Sequence, residues 1–153
     1  HFENMLAEEI KDFDLSKRVW IEDESKTVGR VFIDLNLWNN MRTSPVFVIE
    51  LPLETRLQRL VRDYGEQTTA GLEEAITNIK RRLGNEQWKN AIDALQAKDF
   101  AGTAKITLYY YDKAYDKGLA MKETKEIYRF VFENDDVEDI AGALMARADE
   151  KEL

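Results

Sequence analysis

Val19-Trp20-Ile21 runs directly into Glu22-Asp23-Glu24-Ser25, the pattern of a buried strand that ends in acids. In open parallel sheets, ligands bind beyond the carboxyl ends of the strands. An acid at that place is also how phosphate-transferring proteins hold a magnesium ion, directly or through water. This makes the acidic stretch that follows Ile21 a candidate site for phosphate and magnesium chemistry. A solvated acidic turn is the competing reading.

Three further stretches have suitable chemistry. Pro52 opens a helix on which Arg56, Arg59 and Arg62 recur every third residue. Guanidinium forks suit phosphate and pyrophosphate oxygens, although Glu54 and Asp63 offer them ordinary salt bridges. Lys80-Arg81-Arg82 precedes Gly84. Such a cluster suits an RNA backbone, and equally the negative end of a helix. Tyr109-Tyr110-Tyr111-Asp112 with Tyr115 places the rings of Tyr111 and Tyr115 on one helix face. Tyrosine faces stack bases, and they also pack in cores with their hydroxyls at the rim.

Other chemistries are missing from the inventory. The chain has 0 Cys and 1 His, which is His1, so thiol nucleophiles, Cys-zinc sites, iron–sulfur clusters and a Ser-His-Asp triad are excluded on these residues. None of the seven glycines begins a G-x-x-x-x-G-K phosphate loop followed by Ser or Thr. Gly65 and Gly71 are one position too far apart and lack the lysine. A net charge of −8 argues against a nonspecific nucleic-acid coat, while leaving room for a local basic patch. No apolar run approaches the roughly 18 residues of a membrane span, and nothing reads as a signal peptide. Glu150-Lys151-Glu152-Leu153 reads as a frayed helix end rather than a retention tag. The expected setting is the cytoplasm, without membrane contact.

The elements that must position these residues follow from periodicity. Phe2, Met5, Leu6, Ile10 and Phe13 predict a helix over 2–13. It is already under way at the first residue, which suggests a piece of something longer. Val19–Ile21 predicts a strand, 26–34 a loop, 35–41 a short helix, and Val46–Ile49 a second strand. Leu53–Tyr64 continues as a helix after Pro52. Residues 70–118 predict a helical block: Leu72, Ala75, Ile76, Ile79 and Leu83 on one helix, Trp88, Ala91, Ile92 and Leu95 on the next, and a third over 104–117. Ile127–Phe132 predicts a third strand, and Asp135-Asp136 cap a final helix. Alternating strands and helices imply an α/β fold with a parallel sheet of about three strands flanked by helices. The expected domains are a sheet-and-helix part, 1–69 and 119–153, and a helical subdomain, 70–118.

Together these residues resemble the C-terminal part of the bacterial tRNA 2-selenouridine synthase family. The resemblance is carried by Phe2-Glu3-Asn4 with Leu6, Trp20-Ile21-Glu22-Asp23-Glu24-Ser25 with Val28-Gly29, and Met41-Arg42. It continues through Arg56-Leu57 with Arg59-Leu60 and Tyr64, Ile79-Lys80-Arg81-Arg82-Leu83-Gly84, and Tyr110-Tyr111-Asp112 with Tyr115. It runs nearly end to end, and the E-D-E-S-x-x-x-G and I-K-R-R-L-G segments in this order are specific.

The resemblance implies an enzyme that acts on the wobble 2-thiouridine of certain tRNAs. Such an enzyme geranylates the base, with geranyl diphosphate as substrate, and replaces its sulfur with selenium from selenophosphate. The family's N-terminal rhodanese-like domain carries an important Cys, and a P-loop domain follows it. This sequence then corresponds to the part of that domain after the phosphate loop, an incomplete P-loop-NTPase-like sheet with a helical insertion. The implied roles are Asp23 and Glu24 at the magnesium-associated acid, with Ser25 and Gly29 shaping the loop beside it. Arg56 would face the same crevice, Lys80, Arg81 and Arg82 would meet tRNA phosphates, and Tyr111 and Tyr115 would face the base or the prenyl chain.

Lacking thiol and phosphate loop, the isolated chain is expected to be inactive, with no cofactor bound, and to partner tRNA and the missing segments. With the central strand missing, Val19–Ile21 and Val46–Ile49 are expected to pair directly or to recruit a second chain. Two rival readings stand beside this one. One is a tRNA-binding module without catalysis. The other is a degenerate nucleotide-kinase-like domain, suggested by the strand-Pro-helix-Arg pattern at 46–59.

Overall fold

The computed structural model describes residues 2–14, 16–23, 25–28, 31–65 and 67–153. The elements run in the order α1 (Phe2–Ile10), β1 (Thr27–Val28), β2 (Val31–Phe32), α2 (Leu35–Thr43), β3 (Val46–Glu50), α3 (Leu53–Tyr64) and α4 (Thr69–Asn78). They continue with α5 (Lys80–Leu83), α6 (Asn85–Gln96), α7 (Phe100–Ala120), β4 (Ile127–Val131) and α8 (Val137–Glu150). The chain divides into two compact units. The first comprises 1–48, 122–128 and 141–153, and the second 49–121 and 129–140.

Helix starts follow local chemistry. The Asp34 carboxylate accepts hydrogen bonds from the backbone N–H groups of Asn36 (2.8 Å) and Leu37 (3.1 Å), which opens α2. Asp99 accepts from Gly102 N–H at 2.8 Å to open α7. Asp136 accepts from Glu138 and Asp139 N–H at 3.0 and 3.1 Å to open α8. Each carboxylate satisfies donors that the first helical turn leaves without partners.

β3 and β4 form a two-stranded parallel sheet. Val46 N–H donates to Glu126 O at 2.8 Å, and Phe132 N–H donates to Glu50 O at 3.0 Å, so the pairing advances in the same direction along both strands. Parallel neighbours need a long crossover, here supplied by α3 to α7. The strand expected at Val19–Ile21 is not formed. The segment joins no ladder among the described residues, and its side chains remain nearly half exposed (46%, 49% and 49%). A run of three apolar residues offers little surface to hold a strand, whereas 127–131 supplies four, Ile127, Tyr128, Phe130 and Val131. The expected direct pairing of Val19–Ile21 with Val46–Ile49 is therefore replaced by a ring contact, Trp20 edge-on to Phe47 at 5.0 Å. The loop expected at 26–34 contains the antiparallel pair β1–β2, with Thr27 opposite Phe32.

In the second unit the core is apolar and helical. Ile76, Ala91, Ile92 and Leu95 are buried, with Leu72, Leu83, Trp88, Phe100 and Ile106 packed against them. The helix expected over 72–83 is interrupted at Ile79, whose N–H bonds Ile76 O in a tight turn (3.2 Å). Gly84, at φ +83 and ψ 159, separates α5 from α6 in a conformation essentially confined to glycine.

Candidate functional site

In the first unit, the acidic stretch is held by a lysine. The Lys122 side chain is 2% exposed, and its Nζ lies 2.8 Å from Asp23 Oδ2. The same ammonium donates to Met41 O at 2.9 Å. The next residue repeats the attachment, with Glu123 N–H donating to Arg42 O at 3.2 Å. The segment after α7 thus fastens Asp23 to the carboxyl end of α2, where Arg42 also stands over the Trp38 ring at 5.8 Å. Buried lysines are rare and costly unless paired, and here the ammonium has a carboxylate and a carbonyl. Two residues after Asp23, Ser25 Oγ donates to Thr27 O at 2.7 Å and accepts from Thr27 N–H at 3.1 Å, which closes a local turn. Glu24 and Gly29 lie outside the described residues.

Asp23 was the candidate magnesium ligand. Its Oδ2 is occupied by an ammonium, and a divalent ion in direct contact with that oxygen would face a like charge. Among the described residues, no three His, Asp or Glu side chains gather to hold a metal ion. Magnesium commonly keeps several waters and takes one or two carboxylates with substrate phosphates, so what the structure adds at Asp23 is an ammonium on one of its two oxygens.

In the second unit, Arg56 on α3 makes a two-pronged bond to Asp112 on α7, at 3.1 and 2.5 Å. Both oxygens of Asp112 are used, and the guanidinium plane is fixed. On α7 the Tyr110 and Tyr111 rings meet edge-on at 5.3 Å, and the Tyr111 and Tyr115 side chains reach the surface. Arg59 and Arg62 both lie near Asp135, at 3.7 and 3.6 Å, and near Asp63, at 3.6 and 3.2 Å. The arginine face of α3 is therefore a structural salt-bridge network as well as a basic surface.

The Lys80-Arg81-Arg82 stretch is divided in the same unit. Lys80 Nζ sits 3.5 Å above the centre of the Trp88 ring, a cation–π contact that ties it down. Arg81 and Arg82 are exposed. What α5 presents to solvent is thus two guanidinium groups.

Sequence reading missed Lys122. Lys122 is one of two lysines in the mostly polar stretch 121–126 and belongs to no motif, and its role depends on a partner about a hundred positions away. Asp112 was part of the tyrosine motif without an assigned task. Its pairing with Arg56 joins two motif segments far apart in sequence.

A family profile described as the tRNA 2-selenouridine synthase AAA domain matches residues 1–149. Among curated proteins, the chain is 31% identical to a tRNA 2-selenouridine synthase of Psychromonas ingrahamii, over 86% of this chain and 44% of that protein. It is 28% identical to those of Shewanella woodyi and Serratia proteamaculans, in each case over 84% of this chain and 44% and 43% of the relative. The chain thus spans less than half the length of these relatives. No solved structure matches. No helix among the described residues is long and apolar enough to cross a membrane.

Proposed function

Because the chain belongs to the tRNA 2-selenouridine synthase AAA-domain family, we propose that it is the part of that domain which follows the phosphate loop, and that it acts within a tRNA-modifying transferase. The match over residues 1–149 carries this reading. The proposed reaction of the whole enzyme is geranylation of wobble 2-thiouridine and replacement of its sulfur by selenium from selenophosphate. Geranyl diphosphate and selenophosphate are its substrates.

Within this reading each group has a limited task. Asp23, with Glu24, Ser25 and Gly29, forms the acidic loop that borders the phosphate-bearing substrates. Arg56, oriented by Asp112, presents guanidinium N–H groups to a phosphate or pyrophosphate, the geometry in which Arg excels. Arg81 and Arg82, with Lys80 braced on Trp88, meet tRNA phosphates. Tyr111 and Tyr115 offer ring faces to the base or the prenyl chain. The P-loop-like sheet is completed by strands from the segment carrying the phosphate loop, and a second copy of this chain is the alternative neighbour. The helical part, 70–118, serves as the RNA-facing insertion. A tRNA enzyme of this kind works in the cytoplasm.

The chain lacks both a phosphate loop and a thiol, so its 153 residues alone should incorporate no selenium into thiolated tRNA supplied with selenophosphate. Selenium incorporation by the isolated chain would overturn that division of labour. The chain should still bind tRNA. Reversing Arg81 and Arg82 to Glu should weaken binding about tenfold or more and flatten its salt dependence, since each lost phosphate contact reduces the slope by about 1. The exposure of Arg81 and Arg82 also favours a second reading, a tRNA-binding module without chemistry. Under that reading, Asp23→Asn in the active synthase would leave turnover intact.

A further inference from the structure

We propose that Lys122 is a positioning residue for the reaction, acting through Asp23. This rests on the functional reading above. The argument starts from the cost of the site. A lysine side chain with 2% exposure has given up nearly all its water, which is costly for its charge unless good partners replace that water. Here the replacements are Asp23 Oδ2 at 2.8 Å and Met41 O at 2.9 Å. A buried ion pair spent only on stability could be replaced, both partners together, by well-packed apolar side chains at little loss. This lysine is aimed at a carboxylate that is itself 36% exposed, so one end of the pair is fixed inside and the other faces solvent.

The attachment is also doubled. Lys122 and Glu123 bond the carbonyls of consecutive residues, Met41 and Arg42. The lysine therefore has little freedom to follow Asp23, and Asp23 must come to it. The Trp20 ring on Phe47 anchors the chain just before the acids, and the Ser25–Thr27 turn shapes it just after. Without Lys122, the acidic residue between those two points would lose its charge-assisted tether.

The test uses the active synthase containing this domain, with Asp23→Asn, Lys122→Met and the double variant. Turnover, KM for tRNA and thermal midpoint are measured for each. Misplacing a reacting-site group by about 1 Å costs about 100-fold, so Lys122→Met should lower kcat on that scale and leave KM for tRNA within about twofold. It should also lower the midpoint, because a carboxylate loses its partner. In the double variant the midpoint should recover while kcat stays as low as in Asp23→Asn alone. That split separates positioning from stability, since a purely structural lysine would regain activity together with the midpoint. Full activity in Lys122→Met, or independent multiplication of the two single losses, would overturn the proposal. If Asp23→Asn is fully active, the proposal also falls. If the unaltered synthase incorporates no selenium, the functional reading fails instead. The midpoints of the three variants would then show whether the pair is merely structural.

Discussion

Each of the two units is closed internally by its own kind of contact. The second is closed by apolar packing, in which the side chains of Ile76, Ala91, Ile92 and Leu95 are buried together. The first has little of this. Ile33 and Ala148 are its buried apolar residues among those described, while Val19, Trp20 and Ile21 remain nearly half exposed. What fastens the first unit is polar: the Lys122 ammonium between Asp23 and Met41, Glu123 N–H on Arg42 O, and Arg18 paired with Asp149. Apolar packing is insensitive to direction, whereas a charge-assisted bond fixes one atom against another. The unit that carries the acidic loop is built from the second kind of contact.

The largest expected effect lies in the apolar unit. Leu95 is fully buried, so Leu95→Ala should cost about 2–5 kcal/mol in denaturant unfolding, independent of salt. A smaller loss would mean that the helices collapse around the gap. Next comes Lys122→Met, which leaves Asp23 and Met41 O without their donor and should cost about 1–3 kcal/mol. A neutral result in unfolding would remove the contrast between the units. Asp112→Asn breaks one prong of a partly exposed pair in the apolar unit. It should cost about 1 kcal/mol or less, and the difference should shrink in high salt.

The smallest effect concerns pH. Partial burial, then the nearby Glu126 charge, push the Tyr128 hydroxyl above its ordinary value of 10.0. The unfolded chain then releases this proton first, so Tyr128 contributes stability below pH about 10 that is lost as pH rises through its raised value. Tyr128→Phe should flatten that alkaline decline in thermal midpoint, and an unchanged slope would place the titration elsewhere.

Much of the helical block could be read from the sequence because a 3.6-residue period survives in one dimension. Leu72 and Ile76, then Trp88, Ala91, Ile92 and Leu95, mark helices that the structure contains and the core that they share. The break at Ile79 could not be read, since Ile79 and Leu83 continue the same period across it. β3 and β4 were legible from their β-branched and aromatic runs, yet their partnership was not, because strand pairing is a choice among partners rather than a local property. Val19–Ile21 had the right composition and still forms no ladder. The β1–β2 hairpin had a signal that composition alone overlooks, a Gly-x pair between valines. At the candidate site, type and setting single out Asp23 and Arg56 as candidates, whereas the ion-pair partners that the structure gives them, Lys122 and Asp112, depend on contacts distant in sequence.

The parallel pairing of β3 with β4 also bears on how the chain assembles. Val46 and Glu126 are joined by a hydrogen bond across 80 positions, a long loop to close from an unstructured chain. Most of the intervening residues belong to helices that can form from local contacts, and such contacts form fast. The closure is therefore best made late, between the ends of a segment already shortened by helix formation. Substitutions in the sheet should then mainly accelerate unfolding, and substitutions in the helical core should slow folding.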